Sequence, residues 1–235
     1  MTRNAYARLA GFMFLFYIAT AFPSMVLLEQ ATSGTGIAAK LASIAEHGPQ
    51  MRLIALLSLI TIFDALILGV ALFAITRDYD TDLAVLALSC RVGEGVVSAI
   101  HVVATLGLLS VATGAVGAAA HDAAAAHALG ALLLKVHGWT MIIGATCFAV
   151  GSTIFSWLFL RARTIPVPLA WLGLIASLML VVALPAELAG FVKGALGWSM
   201  WMPMLAFEIS LGLWLLIRGV PAKRRVVPVI SAELT

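Results

Sequence analysis

"SCRVGEGVVSAIH", residues 89–101, decides how this chain is read. Its valines, alanine and isoleucine give it the composition of a membrane-crossing helix, yet it carries Arg91, Glu94 and His101. At about 100° per residue, Arg91, Glu94, Ser98 and His101 fall within a wedge about 80° wide. So narrow a polar stripe on an apolar helix marks a face turned into a bundle rather than toward lipid. Gly93 and Gly95 flank Glu94, and small residues of this kind let a neighbouring helix approach closely.

The rest of the chain has the same character. Of 235 residues, 63% are hydrophobic and 11% charged, whereas soluble domains are near half apolar and a quarter charged. A helix needs about 20 apolar residues to cross the hydrocarbon. Six stretches qualify: Leu9–Leu28, Leu53–Ile75, Leu83–Leu106, Trp139–Leu160, Leu169–Leu188 and Trp198–Ile217. Each must be helical, because lipid offers no partner to an open backbone. The expected fold is an all-α polytopic membrane helix bundle of six transmembrane helices. It forms one domain over residues 1–220, followed by a short basic tail, 221–235. The first span also carries Ala19-Thr20-Ala21, a pattern of signal-peptide cleavage. Its apolar run continues to Leu28, which favours a retained helix over a cleaved leader.

Orientation follows from the basic residues. With the N-terminus inside, the cytoplasmic segments hold Arg3, Arg8, Arg77, Arg161, Arg163, Arg218, Lys223, Arg224 and Arg225. The outer segments hold Lys40, Arg52, Lys135 and Lys193, so both termini are expected on the cytoplasmic side of a bacterial inner membrane. The net charge of +3 is explained by this topology signal. No basic run with interleaved aromatics supports nucleic-acid binding. The expected partner is the lipid bilayer, with Lys223, Arg224 and Arg225 suited to anionic lipids.

The connections carry smaller signals. Asp78, Asp80 and Asp82 imitate the start of a calcium loop, but Leu83 stands where glycine is needed and Ser89 where glutamate is needed. Asp82 is instead expected to cap the third span. Ile37, Leu41 and Ile44 repeat at helical spacing, which predicts a short helix at the outer interface. The Ala-rich run from Thr113 to Gly138 is expected to be an outer connection, with Leu129–Val136 interfacial or re-entrant. Cys90 and Cys147 lack zinc or disulfide spacing and read as small buried hydrophobes. Pro23, Pro185 and Pro203 lie in the outer halves of their spans, where each removes a donor and can kink its helix toward an outward opening.

Ionisable groups inside the spans are the functional candidates, since each costs roughly 2.5–3.5 kcal/mol at mid-membrane on insertion scales. Asp64, Arg91, Glu94 and Glu208 are expected in one layer, three carboxyls around one guanidinium. Charge balance then predicts that at least one carboxyl keeps its proton. Nearer the outside, Glu29, His101, His137 and Glu187 form a second candidate cluster. His101, His137 and Glu187 have the chemistry of zinc or non-haem iron ligands, and two histidines on neighbouring helices have that of haem ligands. No local metal motif accompanies them.

Three stretches carry a resemblance: "ARLAGFMFLFYIA" (7–19), "IPVPLAWLGLIAS" (165–177) and "MPMLAFEISLGLWLLIRGV" (202–220). Together they resemble a bacterial multi-pass membrane family catalogued as domain-of-unknown-function family 4386, over roughly residues 5 to 220. The closing stretch is the most specific, and "RVGEG" looks like the family's arginine–glutamate pair. The resemblance singles out Arg91, Glu94 and Glu208 and argues against signal cleavage. It implies no activity, substrate or cofactor, and the Ala-rich outer run lies outside its pattern. Three readings stay open: a non-enzymatic membrane protein whose buried charges lock its helices, a small proton- or cation-coupled transporter using the mid-membrane carboxylates, and an intramembrane metal or haem enzyme with an outward-facing site.

Overall fold

The structure, a computed structural model, describes residues 1–116, 120–191 and 199–221. It is helical throughout these residues: α1 (Arg3–Ala31), α2 (Ile37–Glu46), α3 (Gly48–Thr76), α4 (Thr81–Ala115), α5 (Ala120–Ala162), α6 (Val167–Leu188) and α7 (Trp201–Ile217). By length and composition, α1, α3, α4, α5 and α6 are able to cross a membrane, and α7 is a shorter apolar helix of 17 residues. The chain is an all-α, multi-pass membrane bundle.

Its outer surface is the reverse of a soluble protein's. Phe12, Leu56, Val96, Val103, Ile175 and Val182 are each more than half exposed. Such faces are stable only against lipid. The buried side is made of small and aromatic residues that let long helices pack closely.

The six long helices close into a ring in which α1 packs on α3, α3 on α4, α4 on α5, α5 on α6, α6 on α7, and α7 back on α1. Neighbours run antiparallel. One end, here called basal, gathers Arg3, Tyr79, Asp80, Arg161 and Pro221. Arg3 donates to the Ile75 carbonyl at 3.3 Å, to the Pro221 carbonyl at 3.1 Å and to the Tyr79 hydroxyl at 2.8 Å. Arg161 lies 3.7 Å from Asp80. The seam between α1 and α7 is tight: a side chain at Gly11 would strike the α7 backbone at Gly212 and Leu216.

Two apolar clusters fill the ring. The basal one includes Phe14, Leu72, Ile75, Phe155, Phe159, Phe207 and Leu211. The distal one joins Ala31, Leu41, Ile44, Met51, Ile54, Leu108 and Ala112. Between them lies a polar belt.

Several expectations change. Most of the Ala-rich run is helix: α4 continues to Ala115, and α5 is one helix of 43 residues from Ala120, with residues 117–119 outside the described ones. Alanine is the strongest helix former, so weak hydrophobicity did not mean weak helicity. At about 1.5 Å per residue, α5 is far longer than a hydrocarbon core of about 30 Å. Leu129–Val136 is therefore plain helix rather than a re-entrant segment. The short helix α2 forms as expected, but it turns Leu41 and Ile44 into the bundle, with Leu41 seated against Gly130. Asp80, not Asp82, caps α4, its carboxylate accepting from the Leu83 amide at 3.1 Å. Pro203 falls in the first turn of α7, where no donor is required, so it starts a helix instead of kinking one. Cys90 and Cys147 are free and half-buried. Trp198, Lys193 and the basic Lys223, Arg224 and Arg225 lie outside the described residues.

Candidate functional site

Arg91 is among the largest fully buried side chains, 2% exposed at the centre of the ring. Its place depends on two glycines that the stripe on α4 did not announce. A methyl group at Gly69 of α3 would lie 3.0 Å from the Arg91 Cβ. One at Gly151 of α5 would lie 3.2 Å from the Cys90 Cβ and the Ala87 carbonyl. These two positions let α3 and α5 close over the arginine. Gly93 and Gly95, singled out in the sequence, make only ordinary contacts with Cys147 and Leu66.

The guanidinium meets one carboxylate directly. Arg91 Nη1 lies 2.9 Å from Glu94 Oε2, an ion pair along the same helix. The pair is not aligned as a hydrogen bond, and Glu94 Oε2 and Arg91 Nε have no hydrogen-bond partner. Glu94 Oε1 accepts from the Tyr17 hydroxyl of α1 at 3.2 Å. The Arg91 Cζ also sits 5.1 Å from the centre of the Phe148 ring and 6.0 Å from that of Tyr17. Both contacts are in cation–π range.

Asp64 of α3 and Glu208 of α7 complete the layer. They are 2% and 8% exposed, and each is within electrostatic reach of Arg91 and Glu94. Glu208 also feels Asp64. Counting about 1.5 Å per residue from the basal helix ends puts Glu208, Arg91, Asp64, Glu94 and Tyr17 at heights of about 14 to 21 Å. The expected layer of Asp64, Arg91, Glu94 and Glu208 thus gathers in space. Its chemistry is uneven, however, because both carboxylate oxygens of Asp64 are buried without a hydrogen-bond partner.

Sequence reasoning passed over Tyr17 and Phe148. Tyr17 had a usable signal: a tyrosine well inside an apolar span needs a partner for its hydroxyl. Phe148 had none, since one phenylalanine among many in α5 carries no mark of its neighbours.

The second expected cluster comes together only in part. His101 and His137 stack with ring centres 3.7 Å apart and planes 40° from parallel. His101 Nδ1 lies 3.3 Å from the His137 carbonyl and 3.5 Å from the Thr140 hydroxyl, which itself donates to that carbonyl. A carbonyl only accepts, so Nδ1 of His101 carries the proton of this contact. His137 is 7% exposed and its Nε2 has no partner. Glu29 is exposed and Glu187 half-buried, and neither joins the pair. Among the described residues, no three His, Cys, Asp or Glu side chains are placed to hold a metal ion. Two imidazoles sharing one ion at about 2.0–2.1 Å per nitrogen hold their ring centres farther apart than this stack does. Axial ligation on opposite faces of a haem would separate them further. The pair as arranged fits neither group.

No curated protein and no solved structure matches the chain. A family model, described as a domain of unknown function (DUF4386), matches residues 9–219, from the second turn of α1 to just past the end of α7. Every residue of the charged layer and of the histidine pair lies within that match. The chain is a multi-pass membrane protein belonging to the DUF4386 family.

Proposed function

We propose that this protein is a small proton-coupled carrier of a bacterial inner membrane, with the Asp64–Arg91–Glu94–Glu208 layer as its proton-binding centre. Residues 1–220 form its single six-helix domain, and both termini face the cytoplasm. The observation that carries the reading is the state of Asp64: two buried carboxylate oxygens with no donor. A knot that only locks helices would satisfy its members, since a half-satisfied polar network is worse than an apolar one. Three carboxylates against one guanidinium would also leave net negative charge in hydrocarbon, which protons on the carboxyls remove.

Arg91 then acts as a counter-ion with a choice of partners. When Glu94 is charged, Arg91 pairs along α4. When Glu94 takes a proton, the guanidinium turns toward Asp64 of α3 or Glu208 of α7. Partner exchange between helices is a means of coupling proton uptake to helix movement. The test is proton movement into proteoliposomes with a trapped pH-sensitive dye, driven by a potassium gradient and valinomycin. The wild type should acidify the lumen faster than protein-free vesicles, and Asp64→Asn should lose the excess. Wild-type rates equal to protein-free vesicles would overturn the reading.

The helix-locking reading has one observation in its favour, the Tyr17 hydroxyl bonded to Glu94 across the ring from α1 to α4. Under it, Glu94→Gln would lower thermal stability in detergent and leave any proton movement unchanged.

A further inference from the structure

The polar stripe of α4 does not end at the charged layer. Above Glu94 the same face carries Ser98 and then His101, and α5 covers that face. Ser98 Oγ faces Gly144 of α5, where a methyl group would lie 3.7 Å away. His101 meets His137 and Thr140 of the same helix. Residues at this spacing on a helix are neighbours, with Cβ atoms about 5–6 Å apart. Glu94, Ser98 and His101 therefore stand one above another on one face of α4, from mid-membrane toward the distal end.

Among the described residues, the basal side offers no counterpart. Toward that end the ring is filled by Leu72, Ile75, Phe155, Phe159 and Leu211, all buried. The threonines and the serine buried there are bonded within their own helices or stand alone: Thr76 donates to its own turn, and Ser156 and Thr164 have no partner.

The geometry points to the His101–His137 pair as the outer terminal of a proton relay that serves Glu94 through Ser98. This rests on the proton-binding reading of the layer and names how its proton arrives. The His101 Nδ1–H contact with the His137 carbonyl leaves Nε2 as the basic nitrogen. Stacked rings at 3.7 Å cannot both carry charge, so the pair holds one proton at a time. Among the described residues, the titratable neighbour of each ring is the other ring, and Thr140 and Ser98 are uncharged. In the transfer step, the Nε2–H bond of a protonated His101 breaks and its proton joins the Ser98 oxygen. Ser98 gives its own proton to the Glu94 carboxylate. His101 returns to the neutral form, Glu94 loses its negative charge, and Arg91 is released. One proton moves and nothing is oxidised or reduced.

The experiment follows the carboxylic C=O stretch in infrared spectra of the whole protein in proteoliposomes after rapid transfer to D₂O. Exchange of the carboxyl proton shifts that band. The resting band includes Asp64, so its exchange requires that a proton taken up at Glu94 pass on within the layer, and its rate reports access to the centre. His101→Gln should slow the exchange by roughly tenfold or more, with partial rescue by added imidazole. Ser98→Ala, a small change at a half-buried position, should also slow it and guards against misfolding of the histidine variant. Glu29→Gln should exchange as the wild type. Exchange at the wild-type rate in both His101→Gln and Ser98→Ala would overturn the relay while the band itself upholds the centre. Absence of any carboxylic band in the wild type would overturn the proton-binding centre, and the relay with it.

Discussion

Arg91 and His101 stand on the same face of α4, but they are held in different ways. The histidine is settled by the helix beside it: its ring lies on His137, and its Nδ1 is shared between a carbonyl and Thr140 of α5. The arginine is settled by helices from around the ring. Glycines of α3 and α5 make room for it, α1 supplies Tyr17, and α3 and α7 supply Asp64 and Glu208. The two-helix seam settles His101 locally and leaves one buried atom, His137 Nε2, without a partner. A layer assembled from α1, α3, α4, α5 and α7 leaves atoms without partners, and those atoms are where chemistry with a mobile proton is available.

Four substitutions sharpen this contrast, in descending order of effect. Arg91→Leu leaves three buried carboxyls without their cation, and should cost about 3–5 kcal/mol, the range for breaking a buried pair. Thermal unfolding in detergent measures it, and adding Glu94→Gln should recover part of the loss, because coupled residues are not additive. Gly151→Leu forces α5 away from Ala87 and Cys90 and should cost about 1–3 kcal/mol by overpacking. A stable Gly151→Leu would mean that α4 and α5 do not close over the arginine. Tyr17→Phe removes one hydrogen bond while keeping the ring against Arg91, a loss of about 1 kcal/mol. Asp64→Asn should have the smallest effect of the four, below the roughly 1 kcal/mol of a hydrogen bond, since no hydrogen bond to its carboxylate is lost. A large loss in Asp64→Asn, beside a small one in Tyr17→Phe, would turn the layer back into a structural lock.

Much of the fold was legible because lipid allows few solutions. Apolar runs of about 20 residues had to be helices, and the stripe on α4 had to face inward. The Ala-rich segment was misread because hydrophobicity was used to judge helicity, and alanine separates the two properties. The carboxylates and arginine of the layer were readable one by one, since a charge deep in an apolar span has nowhere to go but inward. Their unequal satisfaction was not readable. Nothing in "TIFDALIL" says that Asp64 lacks a donor, and nothing in "RVGEG" says that Gly69 and Gly151, far away in sequence, make the space for Arg91. Glu29 and Glu187 shared an estimated depth with the histidines but not a helix face, and depth alone did not bring them together.

The central claim is that a carboxyl of the layer carries a proton in the resting protein. Infrared difference spectra between wild type and Asp64→Asn at neutral pH test it most directly. The account predicts a carboxylic C=O band in the wild type that loses the Asp64 component in Asp64→Asn, with thermal stability retained. A wild-type spectrum showing only ionised carboxylates, unchanged by the substitution in the carboxylic region, would contradict it.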